Sequence, residues 1–159
     1  MRPAAAVAFA VTFLAVCTQS PVVSKVEVPA IELAIKVSDS VLVSGKTDTI
    51  RVTVKNTLPQ IARIIFPTQC QVKVYVRNSA STVVIPASGD YQCSTVTSQM
   101  TVPANGSLVL PYVWSGTQSF LPEVSAALPY GVYFVSASLE TVGLLSIAFP
   151  VRIRFAQTR

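Results

Sequence analysis

Few side chains in this sequence could do chemistry, and their types narrow the choice. There is no histidine, which removes Ser-His-Asp and Cys-His catalysis and any zinc site built on imidazole. The acids Glu27, Glu32, Asp39, Asp48, Asp90, Glu123 and Glu140 stand singly, with no carboxylate pair or calcium loop among them. The glycines are isolated, and none opens a phosphate-cradling loop. No GxSxG or SxxK element activates a serine. The expectation is a non-catalytic chain without metal or cofactor. What remains is sulfur: Cys17, Cys70 and Cys93.

The position of each cysteine decides what it can do. Met1-Arg2-Pro3 carries one positive charge, Ala4 to Val16 is uncharged and mostly apolar, and Cys17-Thr18-Gln19-Ser20-Pro21 is small and polar. That order is a secretory leader, residues 1–20, with an apolar run shorter than the ~20 residues a spanning helix needs. Leu14-Ala15-Val16-Cys17 approximates a bacterial lipobox, although valine replaces the usual small residue before the cysteine. Two outcomes stay open: lipidation of Cys17, the only membrane attachment the chain offers, or ordinary cleavage nearby and a soluble protein. An extracytoplasmic location follows in either case. In that oxidising compartment Cys70 and Cys93 most simply form one disulfide, the alternative being two buried thiols.

The elements that must position these residues are strands. Residues 21–30 form a tether, and residues 31–159 a single domain. Period-two alternation marks Ile31 to Val37, Ile50 to Lys55 and Val72 to Arg77. Further strands are expected at Val41 to Val43, Ile61 to Phe66, Thr82 to Ile85, Ser94 to Val102, Ser107 to Tyr112, Val132 to Leu139 and Ile147 to Phe155. Turn residues separate them, as at Asn78-Ser79 and Asn105-Gly106. Eleven prolines and the lack of an amphipathic helical stretch argue against any long helix. The pattern reads as an all-β, immunoglobulin-like antiparallel β-sandwich. Residues 114–130 are a long connection, of the kind that is either functional or packed over an open end. The hydrophobic fraction of 51% excludes intrinsic disorder. The net charge of +5 comes from scattered lysines and arginines without a basic patch, so nucleic acid is not an expected partner.

From about Val41 to Phe155 the chain resembles the BsuPI-type proteinase-inhibitor family of immunoglobulin-like domains. The resemblance lies in ordered landmarks: the strand Ile50 to Asn56 (IRVTVKN), the segment Phe66 to Val76, Asp90-Tyr91-Gln92-Cys93, Val102 to Ser107, Trp114-Ser115-Gly116-Thr117 and Leu128 to Tyr133. Asn78-Ser79-Ala80 departs from the family's Asp-x-Gly turn, and Ser115 from its acid after tryptophan. The resemblance implies inhibition of a serine protease by a rigid exposed loop. The alternative is a module that binds an envelope protein. Candidate loops are those flanked by Cys70–Cys93 and by residues 114–130. The candidate partner-binding residues are Asp90, Tyr91, Trp114, Phe120 and Leu121, although for Trp114 the favoured reading is a buried cap of the sandwich end, since aromatics mostly supply buried area. Tyr133 is expected to hydrogen-bond backbone at a corner.

Overall fold

Side chains that alternate in the sequence alternate between core and solvent in space. A computed structural model of the chain describes residues 30–120, 125–141, 144–147 and 150–157. The leader with Cys17, and the tether apart from Ala30, lie outside the described residues. In β3 (Asp48–Asn56) every second residue from Asp48 to Asn56 is buried. It pairs with β1 (Ile31–Val37) on one side and β8 (Ser107–Trp114) on the other, both antiparallel. Facing this sheet is a second one, in the order β2 (Val41–Val43), β11 (Val151–Ala156), β9 (Gly131–Thr141), β5 (Lys73–Asn78), β6 (Val83–Ile85). Strand β10 (Leu144–Ile147) folds back on β9. A third pair, β4 (Ala62–Phe66) with β7 (Ser98–Val102), is antiparallel.

Two apolar clusters fill the space between these layers. The larger joins Ile50, Val52 and Trp114 of the first sheet to Val74, Val76, Tyr133, Val135, Ile153 and Phe155 of the second. The smaller lies beneath the β4–β7 pair, where Ile64, Phe66, Met100 and Val102 meet Ile31, Val54 and Leu139. Burying such a side chain stabilises the fold by roughly 1.5–3 kcal/mol. The all-β sandwich and its immunoglobulin-like layering agree with the sequence pattern.

Three details differ from the expectation. The sandwich is not wholly antiparallel, because β2 runs parallel to β11. The cause is a crossing at residues 38–40, which carries the chain from the first sheet to the second without reversing it. The buried carboxylate of Asp48 holds that crossing: its Oδ1 accepts from the backbone N–H groups of Ser38 (3.1 Å), Asp39 (3.2 Å) and Thr49 (2.7 Å). Second, the expected strand Ile147 to Phe155 is two strands, β10 and β11, with Pro150 lying between them. Third, β7 begins at Ser98, not Ser94, so residues 94–97 lie outside the sheet.

Candidate functional site

Cys70 and Cys93 are joined by a disulfide, with Cα atoms 5.6 Å apart. Neither cysteine lies in a strand; one precedes β5 and the other precedes β7. The bond ties the entry of a central strand to the long connection between β6 and β7. From Ile85 the chain passes through a cis bond to Pro86 and turns, with Gly89 N–H donating to Pro86 O at 2.9 Å. Gly89 sits at φ +86°, a conformation glycine adopts without penalty.

Aromatic and acidic residues then fasten this connection to β5. The Asp90 carboxylate accepts from the Tyr75 hydroxyl and from its neighbour's backbone N–H at Tyr91, both at 2.7 Å. Those two bonds hold the Asp90 carboxyl below its ordinary range, the Tyr75 bond contributing most. The Tyr91 hydroxyl donates to Val74 O, and its ring meets Tyr75 edge-on at 5.4 Å. Burial, and then the neighbouring Tyr112, push the Tyr91 phenol up to about 12. Tyr75 is raised further, by burial and then by the Asp90 bond, and the Arg77 guanidinium lies over its ring at 5.3 Å. Asp90 is therefore exposed but engaged, and Tyr91 faces inward with only part of its ring accessible.

Past Cys93 the chain stays exposed from Ser94 to Thr97, and Val96 is 56% accessible. Both ends of this stretch are fixed to the segment before β5. Gln69 N–H donates to Ser94 O at 3.2 Å, and the Ser98 hydroxyl donates to Thr68 O at 2.6 Å. No hydrogen-bond pattern is visible in the sequence here, and sequence reasoning missed the segment by assigning it to a strand. The one available signal was its position immediately after a cysteine.

The second candidate loop is organised around Trp114. This side chain is fully buried, which corrects the reading of Trp114 as an exposed anchor. It ends β8 on the inward face, donates its indole N–H to Thr117 O at 2.8 Å and packs edge-on against Tyr133 at 5.8 Å. Tyr133 in turn donates to Pro129 O at 2.6 Å, the expected corner bond. Gly116 lies at φ +78°, and a Cβ there would come within 2.5 Å of the Phe155 ring, so glycine is required. The connection is drawn together by Leu128 N–H to Gly116 O at 2.8 Å and Gln118 N–H to Ala126 O at 3.0 Å. Phe120 is half-buried against the core, edge-on to Tyr112 at 5.5 Å. It caps the sandwich rather than protruding. Leu121 lies outside the described residues.

Among the described residues there is no group of three or more His, Cys, Asp or Glu placed to hold a metal ion. Nor is there among them a helix long and apolar enough to cross a membrane. The described carboxylates act on the fold: Asp48 on the crossing, Glu32 on Lys55 and Glu140 on Lys73, the last two as ion pairs at 3.1 Å.

No family model matches the chain, and no curated protein matches it. Solved structures resemble it loosely. A β-glucosidase from Erythrobacter marinus aligns over 79% of this chain at 13% identity with a TM-score of 0.46, and the match spans 15% of the enzyme. A CARDB domain from Pyrococcus furiosus, solved in complex with di-metal ions, aligns over 81% of this chain and 90% of its own at 16% identity and a TM-score of 0.46. An alkylpurine DNA glycosylase from Pseudomonas fluorescens aligns over 80% of this chain and 30% of its own at 9% identity, again with a TM-score of 0.46. Likeness at this level assigns no activity, and the fold stands on the strand pairing described above.

Proposed function

We propose that this chain is an exported, non-catalytic immunoglobulin-like domain that inhibits a serine protease by presenting a rigid exposed loop. One observation carries the reading. The connection between β6 and β7 is solvent-exposed over residues 87–90 and 94–97, yet it is fastened by the disulfide, by Tyr75 to Asp90, by Tyr91 to Val74 and by Ser98 to Thr68. An ordinary exposed loop loses conformational freedom when a protease grips it, at about 0.5–1.5 kcal/mol per ordered side chain. A loop already held loses less, and so binds more tightly and is cut more slowly. The resemblance to the BsuPI-type family supports the same reading. The disulfide is compatible with an extracytoplasmic location, and the leader pattern of residues 1–20 supports export. Lipidation of Cys17 would then add a membrane anchor.

The test is direct. The purified protein is titrated against a panel of serine proteases, with residual activity read on small peptide substrates. Inhibition of at least one enzyme at equimolar ratio, with the inhibitor surviving prolonged incubation, is the expected result. Absence of inhibition across the panel would end the reading.

A specific feature favours the second reading, that of an envelope-protein-binding module. The outward row of β8 is Val109, Pro111 and Val113, all exposed, on a strand that among the described residues pairs only with β3. Apolar side chains along an open sheet edge suit association with another chain, although Pro111 lacks the N–H that strand addition would use. Capture from the host envelope with identification of the partner separates the two: a protease supports inhibition, a structural envelope protein supports the module.

A further inference from the structure

We infer that Thr95-Val96-Thr97 is the segment that enters the enzyme, with Val96 as the residue in its specificity pocket, and that the target is a serine protease whose pocket is small. This rests on the inhibitor reading and adds the contact and the class of enzyme.

The argument begins with exposure. Val96 is an apolar, β-branched side chain left 56% accessible in the disulfide-anchored connection between β6 and β7, where the preceding Tyr91 turns toward the protein. Its neighbours Ser94, Thr95 and Thr97 are exposed as well, so nothing flanking it obstructs entry into a cleft. Next comes the backbone. Among the described residues none hydrogen-bonds the main chain of Thr95, Val96 or Thr97. Those N–H and C=O groups are available for an enzyme that reads its substrate by strand-like main-chain pairing. The ends, by contrast, are fixed: Cys93 by the disulfide, Ser94 O by Gln69, and Ser98 by Thr68 and the start of β7. A free centre between two anchors is the arrangement in which binding orders little that is not already ordered.

The side chain then selects the enzyme. Pockets of serine proteases differ in depth and charge: an acid at the base for arginine and lysine, a deep apolar slot for aromatic rings, a shallow pocket for small aliphatic groups. Valine fills only the last. In the deeper pockets it would leave unfilled volume, and a missing methylene there costs about 10–200-fold in recognition. Asp90 and Tyr91 serve less well as the entering residues, because the first is engaged by Tyr75 and the second by Val74.

The experiment uses the full chain and three enzyme classes: one with a small pocket, one trypsin-like and one chymotrypsin-like. The wild-type protein should inhibit the small-pocket enzyme most strongly. Val96→Gly should weaken that inhibition by about 100-fold or more, and Val96→Arg should transfer preference to the trypsin-like enzyme. Because Val96 is exposed, both variants should keep the wild-type emission of Trp114, which shows that the fold is intact. If the wild type inhibits and neither substitution changes the inhibition constants, the contact lies elsewhere: this inference fails while the inhibitor reading stands. If inhibition depends on Val96 but is strongest against a deep-pocket enzyme, the assignment of enzyme class is overturned. If no enzyme is inhibited, both fall.

Discussion

The side chain of Asn56 offers a sharp test of how the two ends of the sandwich are held. Asn56 is fully buried at the end of β3. Its Nδ2 donates to Gln60 O at 2.8 Å and Pro103 O at 3.0 Å, with Val102 O at 3.4 Å, and its Oδ1 accepts from Leu58 N–H at 3.0 Å. One amide thus ties the β3–β4 turn to the β7–β8 turn. Three good bonds at about 1 kcal/mol each, plus buried carbonyls left without a donor, put the cost of Asn56→Ala at about 3–5 kcal/mol. That is a large share of the roughly 5–15 kcal/mol available to a domain. Asn56→Asp keeps the shape but turns a donor into an oxygen facing three carbonyls. At neutral pH it should cost more than alanine.

The pH dependence separates this electrostatic account from simple loss of packing. The introduced carboxyl is favoured neutral in the fold, so its folded pKa lies above the unfolded value of about 3.9. The excess penalty of Asn56→Asp should be absent below that value. It should then grow by about 1.4 kcal/mol per pH unit until the folded pKa is reached. Urea titrations at several pH values, followed by emission from Trp114, the single tryptophan and a fully buried one, read this directly. A cost below about 1 kcal/mol for both variants, or a penalty for Asn56→Asp that is flat from acid to neutral pH, would refute the reasoning.

Cys70 and Cys93 should resist thiol reagents in denatured, unreduced protein, and Cys70→Ser should lower stability by about 3.5 kcal/mol, the loop-closure value for this separation; full labelling without reduction would contradict it. Gly116→Ala should destabilise by about 2–4 kcal/mol, since it combines a positive φ with a clash on Phe155; a neutral result in chemical denaturation would show that the Phe155 ring can yield. Tyr75, Tyr91, Tyr112 and Tyr133 all have folded pKa values raised by burial, Tyr91 to about 12. A raised tyrosine keeps its contribution below its unfolded value near 10 and loses it as pH climbs toward the folded one, so stability should decline from about pH 10 upward. Phenolate absorbance should lag a free-tyrosine titration until the domain unfolds; a titration that follows free tyrosine with the fold intact would refute the burial.

The strands were legible because a half-buried strand writes its two faces into alternate residues. Ile50, Val52 and Val54 face the core as their spacing requires. The disulfide was legible from cysteine number and the export that the leader pattern implies, and the Tyr133 corner from its place near a strand start. Where alternation fails, so does the reading. Residues 94–97 are rich in strand-favouring types, yet two flanking anchors hold them out of the sheet, and an anchor formed across sequence leaves no local trace. Asp48 and Asn56 look like ordinary surface polars in the sequence. Only the fold shows that each is buried with backbone partners from distant segments. Trp114 was ambiguous because the same large ring serves a core or an interface, and its inward register on β8 decides for the core.

The parallel seam between β2 and β11 has a mechanical meaning. It is bracketed by Arg154 N–H to Ser40 O at 2.8 Å and Ser44 N–H to Ala156 O at 2.9 Å, beside the register Arg154↔Val41 to Ala156↔Val43. Tension applied at residues 30 and 157 would draw β2 backward and β11 forward along their own axes. Every cross-strand bond would then be strained together, in shear, where an antiparallel terminal pair pulled from one end would unzip bond by bond. The seam is thus the point at which this sandwich meets a stretching load, and the Asp48-held crossing just before it transfers that load to β1 and β3.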